Sequence, residues 1–259
     1  MPTALITGAS SGLGEQFAYA LAREHYDLVL TARREDRLNA VAAQARGAGA
    51  GTVRVIAADL GARNAPSEIH QRLADEGVRI DYLVNNAGFA TSSRFDRMQL
   101  DREIEEIELN ITALVAMTRL FIPAMVEAGR GTIINVASTA AFQPTPFMAT
   151  YGATKAFVLH FSEGLASELE GTGVLVTALC PGPVKTEFQE VAGLERSWFP
   201  SFIWTDAETV VHHGMAAAAS GHPVYIAGAL NTAMALATRF TPRSVVRRLG
   251  RTMFRHADK

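Results

Sequence analysis

Ala4-Leu5-Ile6-Thr7, then Gly8-Ala9-Ser10-Ser11-Gly12-Leu13-Gly14, then the amphipathic stretch Leu13–Glu24: the chain opens with an apolar strand, a glycine-rich turn and a helix. The same rhythm continues outward. Strand-like runs at Asp27–Thr31, Thr52–Ala57, Ile80–Val84, Gly131–Ala137, Val174–Leu179 and Val224–Ala227 alternate with helical patterns at Asp36–Arg46, Pro66–Glu76, Met98–Glu127 and Thr150–Glu170. Several of the short runs are apolar throughout, which suits parallel strands covered on both faces. Such alternation predicts an α/β protein built on an open, doubly wound parallel sheet.

The 259 residues carry 24 basic and 26 acidic side chains, a formal charge of −2, and 48% of them are hydrophobic. A chain of that size suits one large domain or two small ones, and its charge balance argues against nucleic acid as a partner. The single Cys180 cannot close an intrachain disulfide, and no Cys/His cluster has zinc spacing. No metal site is therefore expected, and a reducing, cytoplasmic compartment is. Met1-Pro2 leads straight into the first strand, without the basic segment and cleavage site of a secretory leader. Thr209–Thr238 lacks Asp, Glu, Lys and Arg, but Gly221-His222-Pro223 interrupts it, so it reads as buried rather than membrane-spanning.

The glycine turn has a chemical reading. Its glycines permit a tight bend and close backbone approach, and the unpaired N–H groups of the next helix attract a pyrophosphate. Placed between strand and helix at the start of a βαβ unit, Gly8, Ser10, Ser11, Gly12, Leu13 and Gly14 are a dinucleotide-binding candidate. About twenty residues on, an NAD-type site has an acid for the ribose 2′-hydroxyl. Here the second strand ends in Arg33-Arg34 instead. Cations at a helix start oppose its dipole, so a 2′-phosphate explains them better than chance, and NADP(H) is favoured over NAD(H).

Tyr151 and Lys155 stand four apart on a helix, on one face, with Cβ atoms about 5–6 Å apart. They share that stripe with Val158, Ser162, Leu165 and Leu169, the face expected against the sheet. A lysine there needs a use for its charge. Its ammonium would lower the phenol pKa from about 10 toward the range of a general acid/base. Ser138 ends the strand run Gly131–Ala137, at the carboxyl edge where open sheets bind ligands, and its hydroxyl can hold a carbonyl oxygen. Asn110 lies on an apolar helical stripe with Ile107, Leu114, Met117 and Phe121, where its amide must find water or backbone. Each residue alone has a plain structural explanation; their combination with the glycine turn does not. Ser138 lacks the nucleophile-elbow context of a serine hydrolase.

These residues resemble the short-chain dehydrogenase/reductase family in its compact, NADP-preferring form. The similarity rests on Thr7-Gly8-Ala9-Ser10-Ser11-Gly12-Leu13-Gly14, Asn85-Asn86-Ala87-Gly88, Asn110, Ser138, Tyr151-Gly-Ala-Thr-Lys155 and Pro181-Gly182, and covers the chain to about residue 230. It implies a single Rossmann-like domain over 1–259 with seven parallel strands ordered 3-2-1-4-5-6-7, and a catalytic tetrad of Asn110, Ser138, Tyr151 and Lys155. It also implies that Asp59 and Leu60 meet adenine and Asn86 braces the sheet. Ala87 and Gly88 would make room for the adenosine ribose. Pro181, Gly182, Val184 and Thr186 would border nicotinamide, and Lys155 its ribose. The activity implied is reversible hydride transfer between nicotinamide and a small-molecule carbonyl/alcohol pair.

Residues 183–205, with Phe188, Trp198, Phe199, Phe202 and Trp204, read as a substrate loop suited to a lipophilic ketone or alcohol, or as an apolar loop packed on itself. Opposite Tyr151 on its helix run Ala149, Ala153, Ala156, Phe157, His160 and Gly164, a small-residue face compatible with a homodimer or homotetramer. From about 229 to 259 the chain gains arginines at 239, 243, 247, 248, 251 and 255, an extension that is solvated or binds an acidic surface, another subunit or, peripherally, an anionic membrane. An NADPH-binding sensor without turnover would share these features, but four retained catalytic residue types would then lack a purpose. An epimerase or dehydratase would need more chain after Pro181 for a nucleotide sugar.

Overall fold

Each apolar run expected as a strand is one. β1 (Thr3–Thr7), β2 (Asp27–Ala32), β3 (Val53–Ala57), β4 (Tyr82–Asn85), β5 (Gly131–Val136), β6 (Val174–Cys180) and β7 (Val224–Ile226) form one parallel sheet in the order β3-β2-β1-β4-β5-β6-β7. The structure is a computed structural model and describes residues 1–193 and 203–253. Trp198, Phe199, Phe202 and Arg255 fall outside the described residues.

Alternation along each strand sorts its side chains into two layers, because successive residues point to opposite faces. Ala4, Ile6, Leu28 and Leu30 enter the layer filled by Phe17 and Leu21 of α1 (Gly12–Arg23), Leu38 and Val41 of α2 (Glu35–Gly47), and Val210 of a helix near the end of the chain. Leu5, Val29 and Leu83 enter the other, with Ile69 and Leu73 of α3 (Ala65–Asp75). Phe17, Leu5 and Leu83 are fully buried, each worth about 1.5–3 kcal/mol by removal from water.

The long helical pattern at 98–127 departs from a regular helix. α4 (Leu100–Ile107) passes through a π-helical turn at Glu108–Ala113 before α5 (Leu114–Glu127). The wider turn rotates α5 relative to α4, so the stripe expected to include Ile107 does not. Ile107 is 37% exposed, whereas Asn110, Leu114, Met117 and Phe121 are buried. This combined run is long and apolar enough to cross a bilayer, and its Met117, Phe121 and Met125 pack in the core.

α6 (Ala149–Glu168) lays Tyr151, Lys155, Val158 and Ser162 inward, as its spacing predicts, and leaves Phe157 and His160 outside. A four-residue helix, α7 (Phe188–Val191), comes after β6. The uncharged stretch 209–238 is divided among α8 (Ala207–Ala219), β7 and α9 (Ala229–Ala237), with the break at Gly221-His222-Pro223. α10 (Arg243–Met253) sits on the body through Val246 and through Gly250, which lies against Pro144 and Pro146, while its arginines face outward.

Candidate active site

The carboxyl ends of the strands border a cleft of about 500 Å³ that runs from the glycine turn to Tyr151 and Lys155. At its base β1 delivers Thr7, whose hydroxyl donates to Val84 O at 3.2 Å and accepts from the backbone N–H groups of Asn86 and Ala87, both at 2.9 Å. The Asn86 amide donates to Thr7 O at 2.9 Å and Gly8 O at 3.2 Å. The first and fourth strands are thereby stapled where both enter the cleft, which is the bracing expected of Asn86.

Gly14 cannot carry a side chain. A Cβ there would lie 2.3 Å from Gly8 O and 2.6 Å from Asn86 Nδ2, so the helix packs directly on the turn. Ser11, at the N-cap of α1, is extended and makes no side-chain capping bond. The first N–H groups of α1 therefore have no cap supplied by Ser11, at a helix end that lines the cleft. That arrangement fits a dinucleotide's pyrophosphate. Asp59 Oδ1 accepts from Gly61 N at 3.0 Å, so this acid caps its own turn while it and Leu60 line the same wall.

Arg34 crosses the mouth of the turn. Its Nη2 lies 3.3 Å from Ser10 Oγ, 3.0 Å from Ser11 Oγ and 2.9 Å from Glu187 Oε2, and that ion pair holds the Glu187 carboxyl below its usual range. Arg33 lines the same rim.

Tyr151 and Lys155 meet the cleft from α6. Lys155 is 6% exposed; its Nζ donates to Val136 O at 2.8 Å and stands 5.8 Å from the Tyr151 ring centre. Burial lowers the lysine to about 8, opposed by the negative charge of Glu106. Burial likewise drives the Tyr151 phenol up to about 12, with Ser138 pulling down and Glu106 pushing further up. The sequence expects Lys155 to depress that phenol; the largest influence on it in the structure is desolvation, and Ser138 is the group that lowers it. Ser138 is held by its own turn, accepting from Ala140 N at 3.1 Å.

Of the residues expected at the site, all line the cleft except Gly14 and Asn110. Asn110 stands one layer behind. Its amide donates to Phe89 O at 2.9 Å and Thr154 Oγ1 at 3.1 Å and accepts from Phe89 N at 3.1 Å, so it ties the segment after β4 to α6. Gly88 makes this possible, since a Cβ there would sit 2.7 Å from Asn110 Oδ1.

Several wall residues escape sequence reasoning: Gln143 and Met148 before α6, Gln189, and Asn231 and Met234 of α9. Gln189 Nε2 donates to Val184 O at 2.8 Å, fixing the wall near Thr186, and Asn231 Nδ2 donates to Ala227 O at 2.8 Å. Neither has a local pattern that could have announced it. Of the expected aromatics, Phe188 packs on the Tyr151 ring with centres 5.6 Å apart, and Trp204 is half-buried beside Thr205, which pairs with Val184.

A seven-stranded parallel sheet of this order, with a glycine turn on the first strand and Tyr151-x-x-x-Lys155 on the helix before the sixth, defines the short-chain dehydrogenase/reductase class, and the short chain dehydrogenase family pattern matches residues 2–196. The chain belongs to this oxidoreductase family. It is 35% identical over 214 residues to a very-long-chain 3-oxoacyl-CoA reductase of Anas platyrhynchos, covering 80% of this chain and 66% of that protein. Among solved structures it is similar to a short-chain dehydrogenase from Sphingobium yanoikuyae in complex with NADPH, with 37% identity, 87% of both chains covered and a TM-score of 0.81. It is also similar to a 3-ketoacyl-(acyl-carrier-protein) reductase from Brucella melitensis complexed with NADH, with 26% identity, 87% and 96% of the chains covered and a TM-score of 0.77.

Proposed function

We propose that the protein is an NADP(H)-dependent oxidoreductase that interconverts a lipophilic ketone or aldehyde and its alcohol. The observation that carries this reading is the single cleft shared by the uncapped glycine turn, the Arg33–Arg34 rim and the Ser138, Tyr151 and Lys155 side chains. Gly8 to Leu13 would hold the pyrophosphate, Arg33 and Arg34 the 2′-phosphate, Asp59 and Leu60 the adenine, and Pro181 to Thr186 the nicotinamide side. When bound, the reduced nicotinamide supplies hydride to the carbonyl carbon.

The rest belongs to the chain. The Ser138 hydroxyl donates to the carbonyl oxygen and polarises it. A phenol held near 12 keeps its proton through binding, so Tyr151 Oη is the donor to the oxygen as negative charge develops there. Lys155, whose Nζ lies 5.8 Å from the Tyr151 ring centre, would contact the nicotinamide ribose and place its positive charge beside the phenol. Asn110 holds Phe89 and the π-turn in place through its three amide bonds. Met148, Phe188, Ile203 and Met234 make the substrate end apolar.

The test is NADPH consumption by the purified chain over a panel of lipophilic ketones, with product analysis. One alcohol formed per NADPH oxidised is expected; binding of NADPH with no turnover on any carbonyl would instead indicate a sensor. We also propose a homo-oligomer formed through the outer face of α6, where Phe157 is 40% exposed and stacked on Phe161, a mass that light scattering reads directly.

A further inference from the structure

The segment Asp101–Glu108 reads as a solvated, acidic helix face, yet two of its acids are inside: Glu106 is fully buried and Glu103 is 5% exposed. Both close on Thr91, three residues beyond Gly88 at the cleft wall. Thr91 N donates to Glu106 Oε2 at 2.9 Å, and Thr91 Oγ1 lies 2.7 Å from that same oxygen and 2.6 Å from Glu103 Oε1. The other oxygen of Glu103 takes a short hydrogen bond from the Thr150 hydroxyl, beside Tyr151.

A count of protons decides the chemistry. Four contacts join the two threonines to carboxyl oxygens, and the threonines bring three protons: one backbone N–H and two hydroxyls. The single proton of the Thr91 hydroxyl can make one near-linear bond, so it does not fully serve both oxygens, at 2.6 and 2.7 Å. One of these contacts needs its proton from a carboxyl. Glu106 Oε1, moreover, is buried without a partner among the described residues, an arrangement costly for a fully ionised pair.

We infer that Glu103 and Glu106 share one proton, and that this proton-bearing pair is a positioning group that clamps the first turn of α6, and with it Tyr151, to the segment after β4. The proton belongs to the pair rather than to either member. Burial of Glu106 raises its pKa to about 7; the Thr91 bonds oppose this, the Glu103 charge adds to it and Lys155 opposes it. The groups that face Glu106 are thus Glu103 on its own helix, Thr91 on the preceding segment, and Lys155 and Tyr151 on α6. The role of Tyr151 as proton donor rests on the function proposed above; the shared proton does not.

Glu103→Gln is the decisive variant, because its amide can donate to Thr91 Oγ1 while its carbonyl accepts from Thr150, replacing the shared proton with a fixed one. A carboxyl that holds its proton above its unfolded pKa contributes stability that is present at low pH and lost as pH rises through the folded value. The thermal midpoint of wild type minus that of Glu103→Gln should therefore fall between about pH 5 and about pH 8 and level off above. Midpoints that run parallel across that range would overturn the shared proton. In ketone reduction, Glu103→Ala should lower kcat about tenfold at unchanged KM for NADPH, and Glu103→Gln should restore it. A wild-type kcat in Glu103→Ala would overturn the clamp. If Glu103→Ala does not fold, Thr150→Val, which removes the hydroxyl that joins Glu103 to the first turn of α6, should lower kcat about tenfold at unchanged KM for NADPH, and a wild-type kcat in that variant overturns the clamp. The thermal readout needs no turnover, so a chain without reductase activity would overturn the functional reading and leave the shared proton to be judged by its midpoints.

Discussion

Arg34 occupies the N-cap of α2, where the helix dipole disfavours a cation by about 0.3–1 kcal/mol. Its ion pair with Glu187 is half-exposed on both sides, 46% and 44%, and returns no more than about 1 kcal/mol. Stability alone gives this residue little reason to be basic, whereas a phosphate at the rim does. Replacing Arg33 and Arg34 together by glutamate should weaken NADPH binding about tenfold or more beyond any effect on NADH, a charge-assisted contact being worth about 1.5–3 kcal/mol. Equal losses for the two nucleotides, measured by fluorescence titration, would rule out a 2′-phosphate at this rim. The arginine pair was legible in the sequence because an acid is missing where strand meets helix. The burial of Glu103 and Glu106 was not: a run of acids looks solvated until tertiary packing turns two of them inward.

Thr7 shows what joins neighbouring strands at the cleft. Among the described residues, its hydroxyl alone accepts from two consecutive N–H groups of the β4 turn. Thr7→Val keeps the strand's shape and leaves both donors unsatisfied, for an expected loss of about 2–3 kcal/mol in chemical denaturation together with weaker NADPH binding. A change within about 0.5 kcal/mol would mean that water replaces the hydroxyl without cost. The strands themselves were readable because β-rich, fully apolar runs and short βα turns agree with one another. The π-turn at Glu108–Ala113 was not, since a fixed helical period has no place for the wider turn, and the projected stripe therefore included Ile107. That local widening is what sets Asn110 against Phe89 and Thr154.

Across the molecule, the glycine-turn side of the cleft is built from strand ends near in sequence to their motifs, which is why its lining residues were legible one by one. The opposite side is built by elements that arrive late in the chain. Asn231 and Met234 reach the cleft because α9 returns over the carboxyl end of the sheet, a placement set by long-range packing and written in no local pattern. Catalysis as proposed requires that the phenol in that cleft move the proton. Tyr151→Phe removes one oxygen from a ring packed against Phe188 and leaves the glycine turn and the arginine rim untouched. The most direct measurement pairs NADPH titration with the rate of ketone reduction in this variant. NADPH affinity should stay at the wild-type value while kcat falls about 10²–10⁴-fold. A folded Tyr151→Phe enzyme that reduces the ketone at a near-normal rate would contradict the assignment.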